Sequence, residues 1–189
     1  VYYSHRQLVL HTLAAGMALA APAAHQRLHA EDVYMPLTPM FHVHAWGMPY
    51  IATLLGIKQV YPGRYAPEML LQLIRQERVT CSHCVPTLLK MILTAAQASA
   101  TDLRGWKVVI GGSALPHALA RQALAMGVDC FAGYGLSETA PILTLAQLTG
   151  DGLQVSAPDD ALTAVCSAGR AIPLVELKIV DEAMRPQPH

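Results

Sequence analysis

Two stretches decide how this chain folds: Lys107-Val108-Val109-Ile110-Gly111-Gly112-Ser113-Ala114-Leu115-Pro116 and Val128-Asp129-Cys130-Phe131-Ala132-Gly133-Tyr134-Gly135-Leu136-Ser137-Glu138-Thr139. Each reads as a short apolar strand that runs directly into a glycine-rich turn. Between them, Pro116 to Met126 reads as a helix with proline at its start. Strands separated by one helix pair in parallel through a right-handed crossover. Ligands of such a sheet bind beyond the carboxyl ends of its strands. Both glycine turns are therefore expected on one edge of the sheet.

The same alternation extends upstream. Ile57 to Tyr61, Val79 to Val85 and the two strands above alternate with helices at Pro67 to Gln76 and Pro86 to Gln97. The expected fold class is α/β, with a parallel β-α-β-α-β core. Further out, Ser4 caps a helix from His5 to Ala21 that ends near Pro22. Tyr34 to Leu37 reads as extended, and His44 to Leu55 as a helix stopped by Gly56. Ala146 to Ala161 reads as a surface excursion, and Leu174 to Val180 as a final strand.

Composition narrows the function classes. Hydrophobic residues make up 53% of the 189 and charged residues 14%, which excludes a disordered chain. Thirteen basic residues balance thirteen acidic ones, with no Lys/Arg-rich run. Nothing here offers an electrostatic footprint for nucleic acid or an anionic membrane. The apolar stretch from Leu8 to Ala24 contains His11, Gly16 and Pro22 and is short for a membrane span, so a core helix is expected. Cys81-Ser82-His83-Cys84 has redox or zinc spacing, but no second pair of ligands follows it. A buried strand is the expected reading, and reduced thiols fit a cytosolic compartment.

Chemistry should gather at the glycine turns. Glycines let a ligand approach the backbone and leave N–H groups free to bind it. Tyr134 offers a flat face suited to a purine, Ser137 a hydroxyl for an oxyanion, and Glu138 a hard carboxylate for Mg²⁺. On residue types alone this is either a nucleotide phosphate site or an ordinary turn with Tyr134 packed and Glu138 solvated. Neither turn matches the common phosphate-loop or dinucleotide patterns. A second constellation is Pro39-Met40-Phe41-His42-Val43-His44-Ala45-Trp46-Gly47. There His42 is either a functional group or a structural histidine, and Trp46 either a site residue or core.

Taken in order, these motifs resemble those of the adenylate-forming superfamily: acyl-CoA synthetases, peptide-synthetase adenylation domains and luciferases. Tyr134-Gly135-Leu136-Ser137-Glu138 is similar to that family's Y-G-x-T-E motif, with Ser for the usual Thr. Gly111-Gly112-Ser113-Ala114 is similar to its adenine-side loop, and Pro39-Met40-Phe41-His42 to its aromatic-histidine motif. Val85-Pro86-Thr87 and Gly169-Arg170-Ala171-Ile172-Pro173 also fall in the family's order. Phe41-His42-Val43-His44-Ala45-Trp46 most resembles the bacterial fatty-acyl-CoA synthetases.

The resemblance implies a set of roles. Tyr134 would stack on adenine, with Gly112 and Ser113 lining its other side. Ala132, Gly133 and Gly135 would offer backbone groups; Ala132 stands where many relatives carry a polar side chain, which puts one adenine contact in question while backbone groups could keep the pocket. Ser137 would bond the AMP phosphate and Glu138 would hold Mg²⁺. His42 would sit near the substrate carboxylate, and Trp46 would gate a fatty-acid tunnel. The implied reactants are a fatty acid, ATP and coenzyme A, in a cytoplasmic enzyme for which peripheral membrane contact and a homodimer stay open.

By the same resemblance, residues 1–189 are expected to be an internal part of one AMP-binding N-terminal domain. The family's phosphate loop would precede Val1, and its ribose-binding Asp and small C-terminal domain would follow His189. The chain alone is then expected not to catalyse adenylation. Two alternatives stand beside this reading: a ligase acting on an aryl or amino acid, and a non-catalytic nucleotide-binding module. Phe41 to Trp46 contains no Asp or Glu to receive a substrate amine, which favours an uncharged acyl tail.

Overall fold

A computed structural model describes residues 1–21, 28–147 and 158–187. Among these residues seven strands form one sheet: β1 (Val33–Pro36), β2 (Lys58–Gln59), β3 (Cys81–Cys84), β4 (Lys107–Ile110), β5 (Asp129–Gly135), β6 (Ile142–Leu145) and β7 (Arg170–Ala171). Their spatial order is β2-β1-β3-β4-β5-β6-β7. The first five run parallel, and β6 and β7 join antiparallel at the far edge. The α/β class and the parallel core are as expected.

Helices cover both faces. On one lie α4 (Pro67–Glu77), α5 (Pro86–Ala98), α6 (His117–Ala125) and α7 (Pro158–Cys166), whose Leu70, Leu89, Ala120 and Leu162 pack with Val108, Ile110, Cys130 and Ala132. On the other lie α1 (His5–Ala20) and α3 (Met48–Leu54), whose Ala15, Leu19 and Ile51 pack with Tyr34, Val109, Phe131 and Ile142. Successive strand side chains thus enter opposite cores, which is why these strands are apolar at nearly every position. Ser4 caps α1 as read: its Oγ accepts from the Gln7 N–H at 3.2 Å, and the Gln7 side chain accepts from the Ser4 N–H at 2.7 Å. Among the described residues no helix is long and apolar enough to cross a membrane.

Some expectations are corrected. His44 to Leu55 is not one helix. A single turn, α2 (Val43–Trp46), has φ of 49°, 52°, 49° and 59° at its four residues, and Gly47 follows at 72° before α3 begins. Left-handed backbone costs about 1–2 kcal/mol per non-glycine residue. What holds the turn here is tertiary: Trp46 is buried, and the His44 ring sits edge-on between Tyr3 and Tyr50. Leu174 to Val180 is not a strand either. Leu174 takes φ 67°, and beyond it only Val180 bridges, to Pro186. With no neighbouring strand among the described residues, its backbone has no ladder to join. The strand read at Ile57 to Tyr61 shortens to Lys58–Gln59, while β5 continues past Ala132 to Gly135. Of the excursion at Ala146 to Ala161, residues 148–157 lie outside the described residues, as does Pro22; 158–161 open helix α7.

Candidate active site

The exits of β4 and β5 lie side by side, because the two strands pair in parallel with Ile110 opposite Ala132. They open into one cleft of about 440 Å³, its open mouth included, lined by Gly111, Gly112, Gly133, Tyr134, Gly135 and Ser137 together with His42, Val43 and Trp46. The two constellations read separately in the sequence therefore meet. Val109 and Ile142 complete an apolar floor.

Local geometry explains the glycines. A Cβ on Gly111 would lie 3.0 Å from Cη2 of Trp46 and 3.1 Å from the Gly133 carbonyl oxygen. Only a bare backbone lets the indole settle there. At Gly135 a Cβ would overlap the Pro141 carbonyl, where β5 shifts register against β6 between Tyr134 and Gly135. That irregularity re-aims the chain. Beyond it, Ser137–Thr139 form a 3-10 turn closed by Thr139, whose Oγ1 accepts from the Leu136 N–H at 3.0 Å and lies 2.7 Å from the Pro141 carbonyl oxygen.

The candidate residues do not all converge. Tyr134 is 46% exposed at the cleft, so its ring has a free face. Exposed His42 also lines the cleft, at the entry to the left-handed turn. Ser137 lines the cleft and Ser113, one residue past Gly112, does not. Ala132 is brought elsewhere: strand alternation turns its methyl into the opposite core, and its carbonyl accepts from the Ala146 N–H at 2.8 Å. Glu138 is exposed and opens onto an adjoining cleft with Gln7, His11 and Ile172. Sequence reading did not find Val109, Ile142 or Thr139. Their types carry no functional signal, and only the register of β4 to β6 brings them here.

Does this corner suit a divalent cation? The Glu138 carboxylate has no hydrogen bond or ion pair among the described residues. Within its electrostatic reach, the Tyr3 hydroxyl is buried without a partner; burial first, and the Glu138 charge second, push the Tyr3 phenol up. A hard carboxylate without a hydrogen bond or ion pair among the described residues fits Mg²⁺, which keeps most of its waters and takes few protein ligands. The CxxC pair does not compete for this role. Cys81 and Cys84 lie within buried β3, and burial pushes the Cys81 thiol up to about 12 and Cys84 higher still.

A largely parallel sheet whose two glycine-rich exits share one cleft with an exposed tyrosine defines an α/β ligand-binding domain. The chain belongs to the AMP-binding enzyme family, which matches residues 1–189. It is 40% identical over 190 residues to the long-chain-fatty-acid–CoA ligase of Thermus thermophilus, covering 100% of this chain and 34% of that protein. It is 36% identical over 189 residues to the medium-chain-fatty-acid–CoA ligase of Ectopseudomonas oleovorans, covering 98% of this chain and 34% of the relative. Among solved structures, the N-terminal domain of FACL13 from Mycobacterium tuberculosis superposes with a TM-score of 0.78 at 22% identity, over 99% of this chain and 44% of that one. The chain spans about a third of the length of the curated relatives it matches.

Proposed function

We propose that this chain forms the adenylate-binding part of an acid–thiol ligase that activates a fatty acid with ATP and transfers it to coenzyme A. The observation that carries the reading is the shared cleft, whose lining combines the Gly111-Gly112 and Gly133-to-Ser137 exits with His42 and Trp46. Tyr134 stacks on adenine, and Gly112 leaves backbone open to its other side. The Ser137 hydroxyl donates to a phosphate oxygen. Ser113 is assigned a backbone role only, since its side chain stands outside the cleft.

In the first half-reaction a carboxylate oxygen bonds to the α-phosphorus while the bond to pyrophosphate breaks. In the second, the thiolate sulfur of coenzyme A bonds to the acyl carbon and AMP leaves with the electron pair. The chain's residues act by positioning and by fixed dipoles rather than covalently. His42 orients the carboxylate, and Trp46 with Val43 and Ile142 supplies the apolar side that an acyl tail needs. Glu138 would hold Mg²⁺, which when bound neutralises phosphate charge. The relatives named for long- and medium-chain acids support an aliphatic acid.

The test is made in the full-length parent polypeptide. AMP and a non-hydrolysable acyl-adenylate mimic should bind it in calorimetry. Tyr134→Ala should weaken both by about 1–3 kcal/mol, the usual worth of base–aromatic stacking. Pyrophosphate release should require ATP, Mg²⁺ and an aliphatic acid together. Binding of AMP without release for any acid would leave a nucleotide-binding module instead.

A further inference from the structure

His83 is fully buried at the end of β3, yet the reaction proposed above makes no use of it. Strand alternation aims it to the same side as Cys81, beneath the cleft. Both ring nitrogens have partners: Nδ1 lies 3.0 Å from the Tyr34 hydroxyl, and Nε2 is hydrogen-bonded to the Thr38 hydroxyl. The Tyr34 ring stacks on it at 5.8 Å with 17° between planes. The imidazole is thus fixed in rotation and in tilt. The ring also packs against Trp46, with ring centroids 4.8 Å apart.

Trp46 is therefore held from two directions. Gly111 receives its outer edge, and His83 backs it from within. An aliphatic residue at position 83 would pack there without fixing an orientation. A histidine bound at both nitrogens rigidifies what rests on it, since fully satisfied buried polar networks specify one arrangement. The same network reaches Thr38, at the head of the segment that leads through His42 to the left-handed turn.

We propose that His83 is a positioning residue that sets the pose of Trp46, and through it the depth of the apolar end of the cleft. The substrate consequence rests on the function proposed above: the depth so fixed limits the length of the acid accepted.

The experiment uses the full-length parent labelled with 5-fluorotryptophan. The Trp46 resonance is identified by its loss in Trp46→Phe. His83→Ala should shift and broaden that ¹⁹F resonance in the ligand-free protein. His83→Gln, which keeps a partner for Thr38, should restore it in part. Thr38→Val gives a milder form of the same change should His83→Ala fail to fold. In turnover, His83→Ala should raise the ratio of kcat/KM for the longest acid to that for the shortest by about tenfold or more, with kcat for the shortest little changed. A lowered melting temperature with an unmoved resonance and unmoved selectivity would mean a merely structural histidine and overturn the proposal. If no acid is activated by the wild type, the function proposed above fails, and the resonance still decides the role of His83.

Discussion

His11 on α1 accepts a hydrogen bond through Nε2 from the backbone N–H of Ile142 on β6, at 3.0 Å, joining positions 131 apart in sequence. The bond exists only with the imidazole neutral at that nitrogen, so the ring carries its proton on Nδ1. Burial lowers its pKa to about 4, and fuller burial lowers that of His83 to about 3. In the unfolded chain both protonate near 6.5.

Stability should therefore fall on acidification. Below pH 6.5 the unfolded chain takes up two protons that the folded chain refuses until about pH 4 and 3. The contribution of each neutral ring is complete above 6.5 and drains away as the pH drops. At pH 5 the loss is roughly 2 kcal/mol per histidine. Urea denaturation at pH 7 and pH 5 measures it. A midpoint that does not move between them contradicts this account of both rings.

Gly111→Ala puts a methyl 3.0 Å from the Trp46 ring and 3.1 Å from a backbone carbonyl. The carbonyl belongs to the β5 exit and cannot yield without moving Gly133, so the indole gives way. Overpacking of this kind costs about 1–3 kcal/mol. A lower urea midpoint should be accompanied by weaker binding of the acyl-adenylate mimic, because the indole wall of the cleft shifts. AMP alone should be less affected. Equal losses for the two ligands would place the disturbance at the adenine side instead.

Much of this was legible in the sequence because it depends on local signals. Strand-then-glycine at Ile110-Gly111 and Ala132-Gly133 gives adjacent exits once the crossover hand is known, and Pro86 and Ser4 mark helix starts through their own chemistry. What was illegible depends on tertiary contacts. Nothing in Val43-His44-Ala45-Trp46 disfavours a right-handed helix; the left-handed turn exists because buried Trp46 and the edge-on contacts of His44 hold it. Ala132 sits beside Gly133 in sequence, yet strand alternation sends its side chain to the opposite core. The sequence places His83 in a buried strand, and only the packing of β1 beside β3 shows its partners.

Glu138→Gln keeps the shape of the side chain and removes its charge. In the full-length parent, pyrophosphate release should fall by about a hundredfold, the scale on which a group that stabilises developing charge is felt. The half-saturating Mg²⁺ concentration should rise, while metal-free AMP binding stays within about threefold. Ser137→Ala should do the reverse: it loses a single hydrogen bond of about 0.5–1.5 kcal/mol, seen in AMP binding and not in the Mg²⁺ titration. If Glu138→Gln leaves the Mg²⁺ dependence unchanged, the metal is held elsewhere.

At the opposite end of the strands, Asp32 and Lys107 form a clamp. Lys107 Nζ lies 2.6 Å and 2.8 Å from the two carboxylate oxygens of Asp32, whose side chain is 1% exposed. Thr80 donates to the same carboxylate at 2.5 Å, and the His29 N–H at 2.8 Å. The clamp thereby ties the starts of β1, β3 and β4, and so the mutual register of these three strands. Lys107→Met strands a buried carboxylate and should cost about 3–5 kcal/mol. Asp32→Asn with Lys107→Met leaves no charge to bury and should recover a large part of that loss. Denaturation of both variants settles the matter: a double variant no more stable than Lys107→Met alone would mean that lost packing, and not the stranded charge, accounts for the damage.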